Sequence, residues 1–245
     1  MLMLLVVLSV GVTSLISGVF GMAGGIILIG IFLELFTATG ALINHGIAQL
    51  AANGARGVIL HKDIKWQVLP LFCGGAVVAL MLFSALSYRP STEWIFFCLG
   101  VFPFYQILFP FLPKLDIEKP RDSFLCGLVV GGSQILAGAG IILDVFFQGS
   151  KLNRFQIVAT KAITQTFGHG VKLVYYVGLL SRDEFSEESI LLWIMIIITA
   201  LLGTYLGGRL LSRLSESGFR AWTQNILYGI GAIFIARACW GWIAE

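Results

Sequence analysis

The chain has 245 residues, 58% of them hydrophobic and 12% charged, with a formal net charge of +3. A mean hydropathy of +0.91 is too apolar for an ordinary soluble domain, and the small positive balance is no footprint for nucleic acid. Several runs reach the roughly 20 apolar residues that cross a bilayer, so the composition describes a polytopic membrane protein whose first partner is lipid.

In chain order the apolar segments fall at about 2–36, 42–60, 67–87, 94–112, 124–148, 155–179, 188–211 and 221–243. The loops between them are short and leave no room for a soluble domain. The N-terminal run MLMLLVVLSVGVTSLISG lacks a basic n-region and a clear cleavage site, so it reads as retained structure. The mixed-charge stretch from Pro113 divides the chain into a first repeat (1–112), a connecting loop (113–123) and a second repeat (124–245). Cys73, Cys98, Cys126 and Cys239 lie singly in apolar segments and read as small buried hydrophobes, not disulfides or metal ligands.

The first segment is broken by Gly18, Gly21, Gly24 and Gly25, and the fifth by Gly131, Gly132, Gly138 and Gly140. Such clusters interrupt a membrane helix and bring bare backbone to a ligand. Met22-Ala-Gly-Gly-Ile-Ile-Leu28 matches Ala137-Gly-Ala-Gly-Ile-Ile-Leu143. With one residue inserted, Gly46-Ile-Ala-Gln49 lines up with Ala162-Ile-Thr-Gln165, and Arg56 falls on Lys172. Two blocks in the same order indicate an internal duplication, and paired broken segments point to a transporter's binding site.

Loop charges set the topology. If all eight segments cross, the loop Lys and Arg residues divide six against six. If segments one and five are hairpins instead, Lys62, Lys65, Lys114, Lys119, Arg121, Lys151, Arg154, Arg209, Arg213 and Arg220 share a side. Only Arg89 and Arg182 then lie opposite. The second arrangement obeys the positive-inside rule. The expected fold is therefore an all-α polytopic membrane protein of two inverted repeats. Each repeat is a glycine-broken re-entrant hairpin followed by three transmembrane helices, and both termini lie on the outer side. The competing arrangement makes each broken segment one kinked crossing helix.

After each turn a helix is expected to begin near the midplane, at Gly25 and at Gly140. Its free N–H groups and partial positive charge would suit an anion. Close packing of helices is the plainer use of the same glycines. Behind the hairpins, His45, Gln49, Asn53 and Arg56 are spaced by four, four and three, one face of a helix. Lys161, Gln165, His169 and Lys172 repeat that spacing. A charge at the bilayer centre costs at least about 2.5–3.5 kcal/mol and normally faces protein or a wet cavity. Arg56 stands close enough to its helix end to snorkel, whereas Lys161 does not. The candidate substrate-binding set is Gly21, Gly24, Gly25, His45, Gln49, Asn53, Arg56, Ser133, Gln134, Gly138, Gly140, Lys161, Gln165, His169 and Lys172. Asp144 is either a proton carrier or a fixed counter-ion for a lysine, and Glu34 reads as interfacial. Trp66, Trp94, Trp193, Trp222, Trp240 and Trp242 lie near segment ends, as an interfacial belt does.

With Gly21-Met-Ala-Gly24-Gly25, the block Asn44-His45-Gly46-Ile-Ala-Gln49, eight segments and two related halves, the chain resembles the TauE/SafE family of sulfite and sulfonate exporters. The resemblance spans essentially the whole length. It implies transport of a small organic or sulfur oxyanion across the bacterial inner membrane. Ala23 and Ala139 interrupt the glycine motif and leave the substrate open. The alternatives are a passive anion channel with the same lining and, more remotely, an intramembrane enzyme. No H-E-x-x-H, G-x-S-x-G or Cys/His metal spacing supports the last. No catalytic residue, metal or cofactor is expected, and a homo-oligomer is compatible with the pattern.

Overall fold

The computed structural model describes residues 1–20, 23–108, 115–180, 187–211 and 216–244. Every element among them is helical. In the first half they are α1 (Leu2–Phe20), α2 (Ala23–Leu35), α3 (Ala38–Ile59), α4 (Leu69–Leu86), α5 (Thr92–Val101) and the short α6 (Tyr105–Leu108). The second half holds α7 (Pro120–Ala137), α8 (Arg154–Leu173), α9 (Glu187–Leu211) and α10 (Glu216–Ala244).

Local chemistry sets the ends. The Thr37 hydroxyl accepts from the Gly40 N–H at 3.2 Å and starts α3. Asn153 and Gln156 form a reciprocal capping box at the start of α8, with bonds of 3.0 and 3.1 Å. Pro120 opens α7, and Gly138, at φ +76°, closes it in the left-handed conformation that glycine adopts without strain.

The two halves interlock. α1 packs on α9 and α4 on α7, so the first helix of each half lies against the corresponding later helix of the other. α3 packs on α8, and α5 on α10. Bare backbone permits these approaches: a Cβ on Gly18 would stand 2.7 Å from Gly207 Cα. α3 and α8 run antiparallel, since Gly46 meets Leu173 while Gly57 meets Ile163.

Among the described residues, Trp66–Leu86, Ile190–Leu210 and Asn225–Ala244 are long and apolar enough to cross a membrane. Leu2–Gly18, Ala23–Leu35 and Thr92–Phe104 are shorter apolar helices. Outward-facing Leu4, Leu8, Met81, Leu82, Ile194, Ile198, Leu202 and Ile233 give the bundle an apolar surface suited to lipid.

Four local expectations change. The stretch after Gly140 is a seven-residue 3-10 helix, Ile141–Phe147, not an α-helix, so the second half lacks the macrodipole expected there. The segment at 155–179 turns from α to a π-helix over Val174–Leu180. The segment at 94–112 is interrupted by a 3-10 turn, Phe102–Phe104, around Pro103. Of the cysteines only Cys126 is buried; Cys73 and Cys98 are half-buried and Cys239 is exposed.

Candidate functional site

The polar rows of α3 and α8 meet at the centre of the bundle. Asn53 Nδ2 donates to Gln49 Oε1 at 3.2 Å, and Arg56 Nη1 donates to Asn53 Oδ1 at 3.4 Å. Arg56 Nη2 donates to the Ser17 carbonyl at 3.1 Å, near the end of α1 where the helix carries partial negative charge. Arg56 is thus turned inward, against the option of snorkelling.

His45 Nε2 lies 3.0 Å from the Gly25 carbonyl and donates to it. Lys172 Nζ lies 3.0 Å from the other ring nitrogen, Nδ1, which accepts. Lys172 is 0% exposed, and its polar contact crosses from α8 of the second half to α3 of the first. The His45 and His169 rings meet edge to face with centroids 5.5 Å apart.

Of these groups, Gln49, His45 and His169 border a cavity of about 20 Å³, room for about one water. The first half lines it with Gly25, Ile26, His45 and Gln49. The second half lines it with Gly138, Ala139, Gly140, Gln165 and His169. The aligned pairs Gly25/Gly140 and Gln49/Gln165 therefore face one space. A Cβ on Gly25 would stand 3.1 Å from Gln49 Nε2, and one on Gly140 3.3 Å from Gln134 Nε2. Gln134 is 0% exposed, and neither amide atom has a protein partner, nor does His169 Nδ1. Buried polar atoms in this condition are normally met by water or ligand.

Other candidates take supporting places. Gly24 packs against α1, where a Cβ would stand 2.6 Å from the Ser17 nitrogen, so it serves the hairpin's packing and not the cavity. Ser133 Oγ reaches the Val130 and Ala139 carbonyls at 3.0 and 3.1 Å and holds the second turn. Lys161 forms an ion pair with Asp144 and stands 5.2 Å over the Phe147 ring, outside the cavity lining. That is the geometry of the counter-ion alternative. Gly21 lies outside the described residues, as does Trp222 in its side chain.

The sequence reading did not single out Ile26 or Ala139 as lining residues, nor the Ser17 carbonyl that holds Arg56. It also placed Trp193 in the interfacial belt, whereas Trp193 Nε1 donates to Asn44 Oδ1 at 3.0 Å. The polar block beginning at Asn44 carried that signal. Glu34 pairs with Arg237 of α10 at 2.7 Å.

Interlocked halves, lipid-suited flanks and a polar, basic centre define a multi-pass helical membrane protein with an internal site. The family model described as "Sulfite exporter TauE/SafE" matches residues 5–234. The chain belongs to the TauE/SafE family, a family of transporters and not of enzymes. No curated protein and no solved structure matches it.

Proposed function

We propose that the protein is a secondary transporter that moves a small anion, namely sulfite, a sulfonate or a related oxyanion, across the bacterial inner membrane. Transport proceeds by alternating access around the cavity between α3 and α8. The carrying observation is that aligned residues of both halves, Gly25 with Gly140 and Gln49 with Gln165, line one cavity backed by the buried Lys172.

The two halves, 1–112 and 124–245 about the 113–123 loop, act as inverted repeats. Their reciprocal packing, α1 on α9 and α4 on α7, supports that relation. The broken segments act as re-entrant hairpins, supported by the 13 residues of α2, roughly 20 Å long and short of the roughly 30 Å hydrocarbon core. Substrate meets Gly25, Gly138 and Gly140 backbone, the amides of Gln49, Gln134 and Gln165, and the His45 and His169 rings. Lys172 acts through His45, while Asn53 and Arg56 hold Gln49.

A cavity with room for about one water favours a carrier over an open channel. The test is a thermal-shift screen of purified protein against sulfite, sulfate, methanesulfonate and carboxylates. Sulfite or methanesulfonate is expected to raise Tm, and Gln49→Leu with Gln165→Leu to abolish the shift. A shift that persists undiminished in the double variant removes the cavity as the site.

A further inference from the structure

Lys161 and Asp144 form an ion pair that the cavity does not use. Lys161 stands four residues before Gln165 on the same face of α8, one turn outward from the lining. The side chains of Lys161 and Asp144 are 24% and 40% exposed, whereas Gln165 and His169 further along that face are 7% and 2% exposed. The face thus runs from a partly exposed cation to the buried residues that line the cavity. The basic loop between α3 and α4 is seated at this end, where the Lys65 N–H donates to Thr160 Oγ1 at 3.0 Å.

The pair is not a feature shared by the two aligned halves. In the aligned first half the position of Asp144 is held by Ile29, which is buried, and that of Lys161 by His45. The first half builds its own second arm, α2, without a carboxylate there. Asp144 is carried on the seven-residue 3-10 stretch, the shorter of the two second arms. The Phe147 ring, 5.2 Å from the ammonium, is a second partner for it besides the carboxylate.

We propose that Lys161 is an outer binding station for the oxyanion, and that the Asp144 carboxylate is a tethered stand-in which occupies it between substrates. An arriving oxyanion displaces Asp144 from the ammonium. Asp144 then recloses on Lys161 as the anion moves one turn inward to Gln165. This rests on the anion-transport reading above.

The test is calorimetric binding of methanesulfonate to purified protein in four forms: native, Asp144→Asn, Lys161→Gln and the double variant. Removing the competitor is expected to tighten binding by up to about fivefold, the upper range for a part-exposed ion pair. Lys161→Gln is expected to weaken it, and Asp144→Asn to confer no gain in the Lys161→Gln background. Unchanged or weaker binding by Asp144→Asn overturns the station and leaves the cavity standing. An equal gain with and without Lys161 also overturns it, because the carboxylate would then act only as a distant charge. Should Asp144→Asn fail to yield monodisperse protein, Asp144→Ser is read by the same criteria. Absence of methanesulfonate binding in both native protein and the Asp144 variant removes the station and the cavity together.

Discussion

Lys172 occupies a position that is costly to the fold, 0% exposed. A fully buried ammonium that faces a neutral ring nitrogen, as Lys172 faces His45 Nδ1, is stabilised far less than one facing a carboxylate. Replacing it by an apolar side chain of similar length should therefore relieve the substrate-free protein while removing the positive charge behind His45. Lys172→Met is expected to keep or raise Tm and to weaken sulfite or methanesulfonate binding more than about tenfold, roughly 1.4 kcal/mol. A fall in Tm with binding intact would make Lys172 a structural residue. Gln134 belongs to the same pattern, since its buried, unpartnered amide is a cost that a bound ligand can remove.

At the scale of elements, close backbone contact between the halves does the holding. A Cβ on Gly127 of α7 would stand 2.7 Å from the Phe72 carbonyl carbon of α4, a contact with backbone that cannot turn aside. Gly127→Ala is expected to cost about 2 kcal/mol and to lower Tm by about 4–8 °C. Gly208→Ala, which would meet nothing within 4 Å, should leave Tm unchanged or slightly higher. Equal changes in Tm for the two would show that backbone contact at Gly127 does not govern the interface.

This is also the scale at which the sequence was least legible. The polar faces of α3 and α8 could be read from spacing alone, because four residues at helical period in apolar surroundings have few other uses. The glycine breaks were legible for the same reason. The 3-10 geometry after Gly140 was not, because Ile141-Ile-Leu143 matches Ile26-Ile-Leu28 residue for residue. What differs is tertiary: the Phe146 carbonyl is held by the Ile117 N–H at 2.7 Å, from the connecting loop. The π-helix at 174–180 has a similar origin. Tyr175 Oη donates to the Tyr88 carbonyl and Tyr176 Oη to the Ile135 carbonyl, each at 2.6 Å, so adjacent residues are anchored to different neighbours. The Lys161–Asp144 pair was legible only as one of two alternatives for Asp144, because no local pattern announces which lysine a carboxylate will reach.

For the whole molecule, the topology proposal places the loop of Lys62 and the loop of Arg89 on opposite faces of the membrane. Both residues are exposed. With Cys73, Cys98, Cys126 and Cys239 replaced, Lys62→Cys should react with an impermeant maleimide only from the cytoplasmic face. Arg89→Cys should react only from the opposite face. Labelling of both from one face would sink the hairpin topology. Lys151→Cys, exposed in the loop before α8, separates the hairpin from eight full crossings: it should label from the Lys62 face if segment five is a hairpin and from the Arg89 face if every segment crosses.

The smallness of the cavity has a consequence for the cell that hosts the protein. A space that holds about one water is narrower than a hydrated oxyanion. On the alternating-access proposal no ion passes through the centre unless the halves shift first, so a membrane holding many idle copies would stay electrically tight. Flux is then counted in movements of the protein, and the ceiling on export is the rate at which α3 and α8 part and reclose.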